Sequence, residues 1–397
     1  MPGEWLTKGE VNAHYYNTVA GEIVFATEAS LGWHPQALAK VMVARARDTG
    51  TRRIRVLELG ANDCAFARAA ITELRRLCGE GESELERVDY VAVEYARASL
   101  EAVAAWEEST GVYLVRRPSI AGASLVALVA SGGAPAVNLA LVNAEATEFA
   151  RSNTEPFDFV ILNELLDDMP YRAYFADAAE RTFEAFPLSR DEGDRWTVRI
   201  AREELTGSAR PEMPPETLTA RSRESLALVH DLARAALGPG GMMFVHDYGF
   251  AEPFTDLAKY EAVPRLVPPF ATLEYADGGE QSFPRSFYRV FGNEAKGVVQ
   301  VTNDVNFAEI TVALAPYGAF FTIPHGNQIA IAGRAFEKGQ GVFLAEFGLL
   351  ESTDDLHALF ARLQRDQVQL RDDYVRDEMQ GRSSVFLDLV FVKNRRP

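Results

Sequence analysis

Cysteine, histidine and positive charge are all scarce in this chain, and each shortage removes a class of function. Among 397 residues there are 2 cysteines and 6 histidines. Cys64 and Cys78 lack a Cys-x-x-Cys spacing, so they suggest neither a zinc site nor a disulfide framework, and a reducing, cytoplasmic compartment is expected. The scattered histidines offer no ligand set, so no catalytic metal is expected. Lys and Arg number 40 against 57 Asp and Glu, a formal net charge of −17. That balance argues against sequence-independent binding to nucleic acid or to an anionic membrane, since both need basic side chains. No apolar run reaches about 18 residues, the length that suggests a membrane-spanning helix. The opening Met1-Pro-Gly-Glu-Trp-Leu-Thr-Lys has no basic region followed by an apolar stretch, so no secretory signal is expected. Also missing are the phosphate loop Gly-x-x-x-x-Gly-Lys-Ser/Thr, the Gly-x-Ser-x-Gly elbow, the His-Glu-x-x-His helix and a calcium loop.

What is present is a globular composition, 47% hydrophobic and 24% charged, arranged as alternating strands and helices. Residues 1 to 50 read as helical. Strands are expected at Ile54 to Leu59, Val88 to Glu94, Val137 to Asn143, Phe157 to Asn163 and Met242 to Asp247, and later at Gly318 to Ile323 and Val385 to Val392. Helices are expected at Ala65 to Leu77, Ala96 to Glu108, Ala173 to Phe186, Arg223 to Leu237 and Thr353 to Met379. Such alternation predicts a parallel sheet wrapped by helices, whose ligands lie at the carboxyl ends of the strands. Two stretches break the pattern: a charged one with a hairpin-like piece at Trp196 to Ala201, and one rich in Pro, Phe and Tyr after Phe250. The expected division is an N-terminal helical segment (1–50), a first part of the core (51–186), an insertion (187–222), a continuation of the core (223–249), an aromatic-rich cap (250–310) and a part completing the core (311–397). Irregular aromatic insertions of that length suggest a cover over a site.

The most informative segment is Val56-Leu-Glu-Leu-Gly-Ala-Asn-Asp63, an apolar strand that ends at Glu58 and turns sharply at Gly60 into a helix. A glycine there lets a ligand approach the backbone, and N–H groups at the helix start offer donors for a carboxylate or phosphate. The turn residues Glu58, Gly60, Ala61, Asn62 and Asp63 are therefore candidate ligand contacts. A second strand ends in Glu94 and Tyr95, with Glu94 34 residues after Gly60, the place for an acid that takes both hydroxyls of a ribose. Asn143 and Ala144 close the next strand and are placed to read an adenine ring. Asn163, Glu164, Asp167 and Asp168 leave the strand after that; crowding acids at one exit is costly unless solvent or a cation compensates them. Glu164 is favoured as functional, Asp167 is evenly balanced, and Asp168 reads better as a cap of the following helix. His246, Asp247 and Tyr248 leave the fifth strand at the same edge. His246 suits a general base and equally a buried structural role.

These segments resemble a class I S-adenosylmethionine-dependent methyltransferase, and more narrowly the MidA-like family. Asn163-Glu-Leu-Leu-Asp-Asp-Met-Pro170 is similar to that family's Asn-Glu-Leu/Phe-Leu/Phe-Asp-Ala-Leu-Pro, and Phe244-Val-His-Asp-Tyr-Gly249 to its Ile-Asp-Tyr-Gly. Val301-Thr-Asn-Asp-Val-Asn-Phe307 looks like its Leu-Thr-Ala-His-Val-Asp-Phe, and Gln340 to Gly348 like its Gln-Gly-x-Phe-Leu-x-x-x-Gly. The matches run in family order from about residue 54 to the end. The resemblance implies a Rossmann-like α/β fold with a seven-stranded class I methyltransferase sheet, a helical N-terminal segment and an inserted cap. It implies S-adenosylmethionine as cofactor, with the methionine part seated at Gly60 and with Asn163 and Glu164 beside it. It implies a nitrogen acceptor, a protein arginine among the choices, with Glu164 binding and deprotonating it, assisted by Asp167; Asp247 or His246 are alternates, and Tyr248 orients the acceptor. Two other readings stay open: a small-molecule methyltransferase, and a non-catalytic assembly or binding protein on the same fold. A homodimer is compatible with each. Two departures stand out: the family's Gly-x-Gly-x-Gly is reduced to Gly60 in Gly60-Ala-Asn-Asp-Cys64, and the first 50 residues lack its Gly-Tyr-Tyr opening.

Overall fold

In the computed structural model the described residues are 4–20, 33–81, 84–119, 123–250, 252–261, 267–275, 287–320 and 386–394. The expected helix at Thr353 to Met379 and the segment Gln340 to Gly348 lie outside them, as do residues 321–323 of one expected strand. The chain opens with β1 (Leu6–Thr7), α1 (Lys8–Val19) and α2 (Trp33–Thr49). The first half of the core follows as β2 (Arg53–Leu59), α3 (Ala65–Gly79), β3 (Arg87–Glu94), α4 (Arg97–Thr110), β4 (Leu114–Arg116), β5 (Leu125–Ser131), β6 (Ala136–Asn143), α5 (Ala146–Ser152) and β7 (Phe157–Asn163). Next come β8 (Arg172–Ala176), β9 (Thr182–Asp191), β10 (Trp196–Leu205), β11 (Thr217–Arg221), α6 (Arg223–Asp231) and β12 (Leu237–Phe250). The remainder holds β13 (Thr255–Asp256), α7 (Ala258–Glu261), β14 (Ala271–Tyr275), β15 (Tyr288–Asn293), β16 (Val298–Asn303), β17 (Val305–Asn306), α8 (Phe307–Leu314), β18 (Gly318–Phe320) and β19 (Phe386–Lys393).

The main sheet has the order β18-β19-β12-β7-β2-β3-β6-β5-β4, with β17 beside β12. Its centre, β12, β7, β2, β3 and β6, is parallel; β19, β18, β5 and β4 run antiparallel to their neighbours. Central strands covered on both faces need continuous apolar sequence, and Phe159-Val-Ile-Leu162 of β7 is buried throughout. The hairpin of β4 and β5 extends the sheet past β6 and has no counterpart in the strands expected from the sequence. Gly249, where β12 leaves β7 for β17, has to be glycine: a Cβ there would lie 2.2 Å from the Val305 carbonyl oxygen.

One expected helix is corrected. Ala173 to Phe186 is not helical but forms most of β8 and the start of β9, an antiparallel pair. The side chains alternate with period two: Ala173, Phe175, Phe183 and Ala185 are buried, while Arg172 and Glu184 reach an ion pair on the other face at 3.0 Å. These strands belong to a second, 7-stranded sheet, β13-β11-β8-β9-β10-β14 with β1 on β9. It takes in the hairpin-like piece at Trp196, and it begins inside the range expected to be core. Buried side chains of both sheets join in one apolar cluster. No helix among the described residues is long and apolar enough to cross a membrane.

Candidate active site

The carboxyl ends of β2, β3, β6, β7 and β12 gather nearly every residue singled out from the sequence. The turn after β2 is left-handed at Gly60 (φ 72), Asn62 (φ 45) and Cys64 (φ 57). Those are the three positions of a Gly-x-Gly-x-Gly spacing, so Asn62 and Cys64 take up left-handed angles that glycine adopts freely. Asn adopts such angles readily; for Cys64 the left-handed region costs about 1–2 kcal/mol. Gly60 itself is needed, since a Cβ there would come within 3.0 Å of Leu165 Cδ1.

The turn spends its N–H groups internally. Gly60 and Ala61 donate to the Val93 carbonyl (3.0 and 3.1 Å), Cys64 donates to Ala61 O (2.7 Å) and Ala65 donates to Asp63 Oδ1 (2.9 Å). These four N–H groups are taken up within the turn, while Cys64, the N-cap of α3, adds no side-chain cap. Asn62 donates its N–H to Glu94 Oε2 (2.9 Å), and Ala96 donates to Oε1 (2.8 Å). Backbone N–H groups, that of Tyr95 among them, thus fix both oxygens of Glu94, and the remaining lone pairs of the carboxylate can accept from hydroxyl donors. Burial raises its pKa, against the pull of these backbone N–H groups.

Glu58 lies beneath the turn and is 2% exposed. Burial pushes its carboxyl up to about 8, with Tyr90 Oη donating to Oε2 at 2.7 Å. Asn143 ties the exits of β3 and β6 together: its side-chain NH2 donates to Glu94 O (3.0 Å) and Tyr95 O (2.7 Å). Ala144 is half-buried beside it, its N–H on Glu94 O (3.2 Å). The Asn143 amide hydrogens thus tie the backbone carbonyls of Glu94 and Tyr95 to the end of β6. Tyr95 is exposed, and its hydroxyl accepts from Asn17 Nδ2 of α1 (2.9 Å).

The exits of β7 and β12 form the acidic half. Asn163 and Glu164 are half-buried; Glu164 is left-handed (φ 46), with its N–H on His246 O at 2.8 Å. A non-glycine residue in that conformation stores strain of the kind that collects at functional sites. Asp247 is fully buried. Its Oδ2 accepts from the backbone N–H of Leu166 (2.8 Å) and Asp167 (3.1 Å), and its Oδ1 from Tyr248 N–H (2.8 Å), so it shapes the turn that follows β7. Burial, then the charge of Glu164, raise its pKa against those three hydrogen bonds. His246 is held neutral by burial, its pKa lowered to about 3; it is a weak base at neutral pH. Tyr248 has the Arg289 guanidinium 5.1 Å over its ring, and burial, followed by Glu164 and Asp167, raises its pKa.

Asp167 and Asp168 cap no helix, because β8 follows them. A partly buried network holds Asp168 instead. Asn12 Nδ2 donates to Oδ1 (3.2 Å), Gln300 Nε2 to both oxygens (2.8 and 3.0 Å), and Tyr16 Oη to Oδ2. Asp167 is buried, its Oδ1 without a hydrogen-bond partner among the described residues, and its pKa stands well above the usual carboxylate range, first through burial and then through Asp247. Compensation comes from Lys8, which is 3% exposed. Its ammonium donates to the carbonyl oxygens of Asp167 and Met169 (2.9 Å to the latter) and to Asn303 Oδ1. Burial lowers its pKa to about 8 despite the neighbouring aspartates. Arg289, paired with Asp304, whose Oδ2 accepts from Tyr260 Oη at 2.8 Å, adds a second internal cation.

Sequence reasoning missed Lys8, Asn12, Tyr16, Arg289, Gln300, Asn303 and Asp304. One signal was readable: Thr7-Lys-Gly-Glu10 is a capping box, with Thr7 N–H on Glu10 Oε2 (2.8 Å) and Glu10 N–H on Thr7 Oγ1 (3.5 Å). It fixes the start of α1, but nothing local says that α1 lies across the acidic exit.

No family model and no curated protein matches this chain. Among the solved structures similar to it are two from Burkholderia thailandensis. One is an uncharacterized ACR, COG1565 superfamily protein, with 19% identity and a TM-score of 0.51 over 98% of this chain and 88% of that one. The other is a COG1565 superfamily member bound to S-adenosyl-homocysteine, with 17% identity and a TM-score of 0.53 over the same shares, 98% and 88%. This chain has their fold, a mixed α/β fold of methyltransferase type.

Proposed function

We propose that this protein is an S-adenosylmethionine-dependent methyltransferase of the MidA-like kind, acting on a nitrogen acceptor. The observation that carries the proposal is the left-handed path at Gly60, Asn62 and Cys64 leading to a doubly anchored Glu94. That path is kept at an energetic cost which a purely structural turn would have no reason to bear. The residues present suit the cofactor: the turn at Gly60 and Glu94 lie together at the ends of β2 and β3, and Glu94, held in place by backbone N–H groups, can accept from a diol. When bound, the cofactor supplies a methyl group already activated on a sulfonium.

The chain's own residues then have three tasks. Glu94 and the turn hold and orient. The helix α1, joined to Tyr95 through Asn17 and to Asp168 through Tyr16, covers the edge and excludes water. Glu164, at a strained backbone position next to Tyr248 and Asp247, is the carboxylate that binds the acceptor nitrogen and takes its proton, while Tyr248 orients the acceptor. Asp247 is committed to the turn, and burial disfavours the charged form of Asp167, so neither is assigned to take the proton. A cationic acceptor such as an arginine side chain suits the acids. A small-molecule acceptor is the second reading, favoured by the cover that α1 places over the edge and by the internal cations Lys8 and Arg289, which already balance much of the acidic charge.

The test is incubation with methyl-labelled cofactor and a lysate separated into protein and small-molecule fractions. Label in protein, lost with Glu164→Gln while cofactor binding is kept, is the expected outcome. Label confined to small molecules selects the second reading, and transfer undiminished in Glu164→Gln removes Glu164 from its role.

A further inference from the structure

A cavity of about 430 Å³ lies between α3, α4, β5 and β6, on the helical face of the sheet. It is set back from the carboxyl edge: Val137 and Leu139 belong to the first half of β6, whereas Glu94 and Asn143 end their strands. Its walls are apolar, with Ile71, Val129, Val137 and Leu139, and Trp106, 51% exposed, stands at the rim. Glu107 of α4 also lines it and is 1% exposed, with Oε2 buried and without a hydrogen-bond partner among the described residues. The nearby cation, Arg68, makes no ion pair with it; its guanidinium lies 4.8 Å over the Trp106 ring and its Nη2 3.9 Å from Asp63 Oδ2. Burial raises the Glu107 pKa, with Arg68 opposing.

An apolar cavity of this volume is in the range that holds small organic ligands. A buried carboxyl oxygen lacking a partner is costly in the protein alone, and the cost disappears when a ligand brings a donor to it. The geometry points to a second ligand site here, one that takes an apolar primary amine: the hydrocarbon body against Ile71, Val129, Val137 and Leu139, the ammonium on Glu107, and any aromatic ring against Trp106. This site is separate from the proposed methyl-transfer site and does not depend on that reading. It touches it at one point: Arg68 spans the Trp106 rim and Asp63, which accepts from Ala65 N–H in the turn after β2.

The probe is 2-phenylethylamine, titrated into the full chain at pH 7.5 and followed by ligand-observed NMR, with 2-phenylethanol as its uncharged counterpart. The expected result is saturable amine binding, at least tenfold weaker for the alcohol and at least tenfold weaker for Glu107→Gln. The rim variant Trp106→Ala, at an exposed position that tolerates truncation, weakens the amine as well, and saturating S-adenosylhomocysteine leaves it bound. The inference is overturned by no saturable binding at tens of millimolar, by equal binding of amine and alcohol, by affinity unchanged in both variants, or by displacement with S-adenosylhomocysteine.

Discussion

The two halves of the carboxyl edge are built on opposite plans. On the side of β2 and β3, the turn from Gly60 to Ala65 is held by backbone groups and by Asp63 and Glu94, all from two neighbouring strands and the loops that leave them. On the side of β7 and β12, the acidic exit is held by residues far apart in sequence: Lys8, Asn12 and Tyr16 from α1, Gln300 and Asn303 from β16. The first half is a local device that a ligand can complete. The second is a long-range clamp in which the protein supplies its own cation, and it comes into being only when the N-terminal helix docks.

If that contrast is right, the largest effect belongs to the clamp. Lys8→Met removes a buried ammonium and leaves three oxygens unpaired beside Asp167 and Asp168, so unfolding free energy in urea falls by about 3–5 kcal/mol. A loss under about 1 kcal/mol would mean that the Lys8 ammonium is incidental and that α1 is held by its other contacts, Asn12 and Tyr16 among them.

The next effect lies beneath the turn and appears with pH. Glu58 has its pKa raised from 4.5 to about 8 in the folded protein. Between those values the folded state holds the extra proton, so its contribution to stability is full below the unfolded pKa and is lost as pH rises through about 8. Glu58→Gln abolishes this slope, and its stability relative to the parent rises by up to about 1.4 kcal/mol per pH unit across the window. Denaturation midpoints at pH 5 and pH 7.5 read it directly, and parallel midpoints for both proteins would contradict it.

The smallest effect is in the turn itself. Cys64→Gly relieves about 1–2 kcal/mol of left-handed strain but gives up a fully buried side chain. The melting temperature therefore moves by only a few degrees, and affinity for S-adenosylhomocysteine stays within about threefold. A tenfold loss of affinity would assign the Cys64 side chain a part in the seat.

The same contrast explains what could be read in the sequence. β2, β3, β6 and β7 were legible because strands buried on both faces must be continuously apolar, and the acids at their ends follow by position. Ala173 to Phe186 misled because its apolar residues also fit helical spacing, and their partners in β10 and β11 lie 15 to 47 residues on. Lys8 and Gln300 were illegible for a deeper reason: a polar side chain carries no local mark of a partner nearly 300 positions away. The departure from the glycine pattern at Asn62 and Cys64 was visible as letters. That the backbone keeps its left-handed path there needed coordinates.

The account rests on the turn and Glu94 forming a cofactor seat, and calorimetric titration with S-adenosylhomocysteine tests this most directly. It predicts saturable one-site binding by the full chain and a weakening on the order of 100-fold in Glu94→Ala, whose carboxylate would otherwise hold two hydroxyls. Absence of binding at millimolar concentration, or equal affinity in the variant, would contradict it.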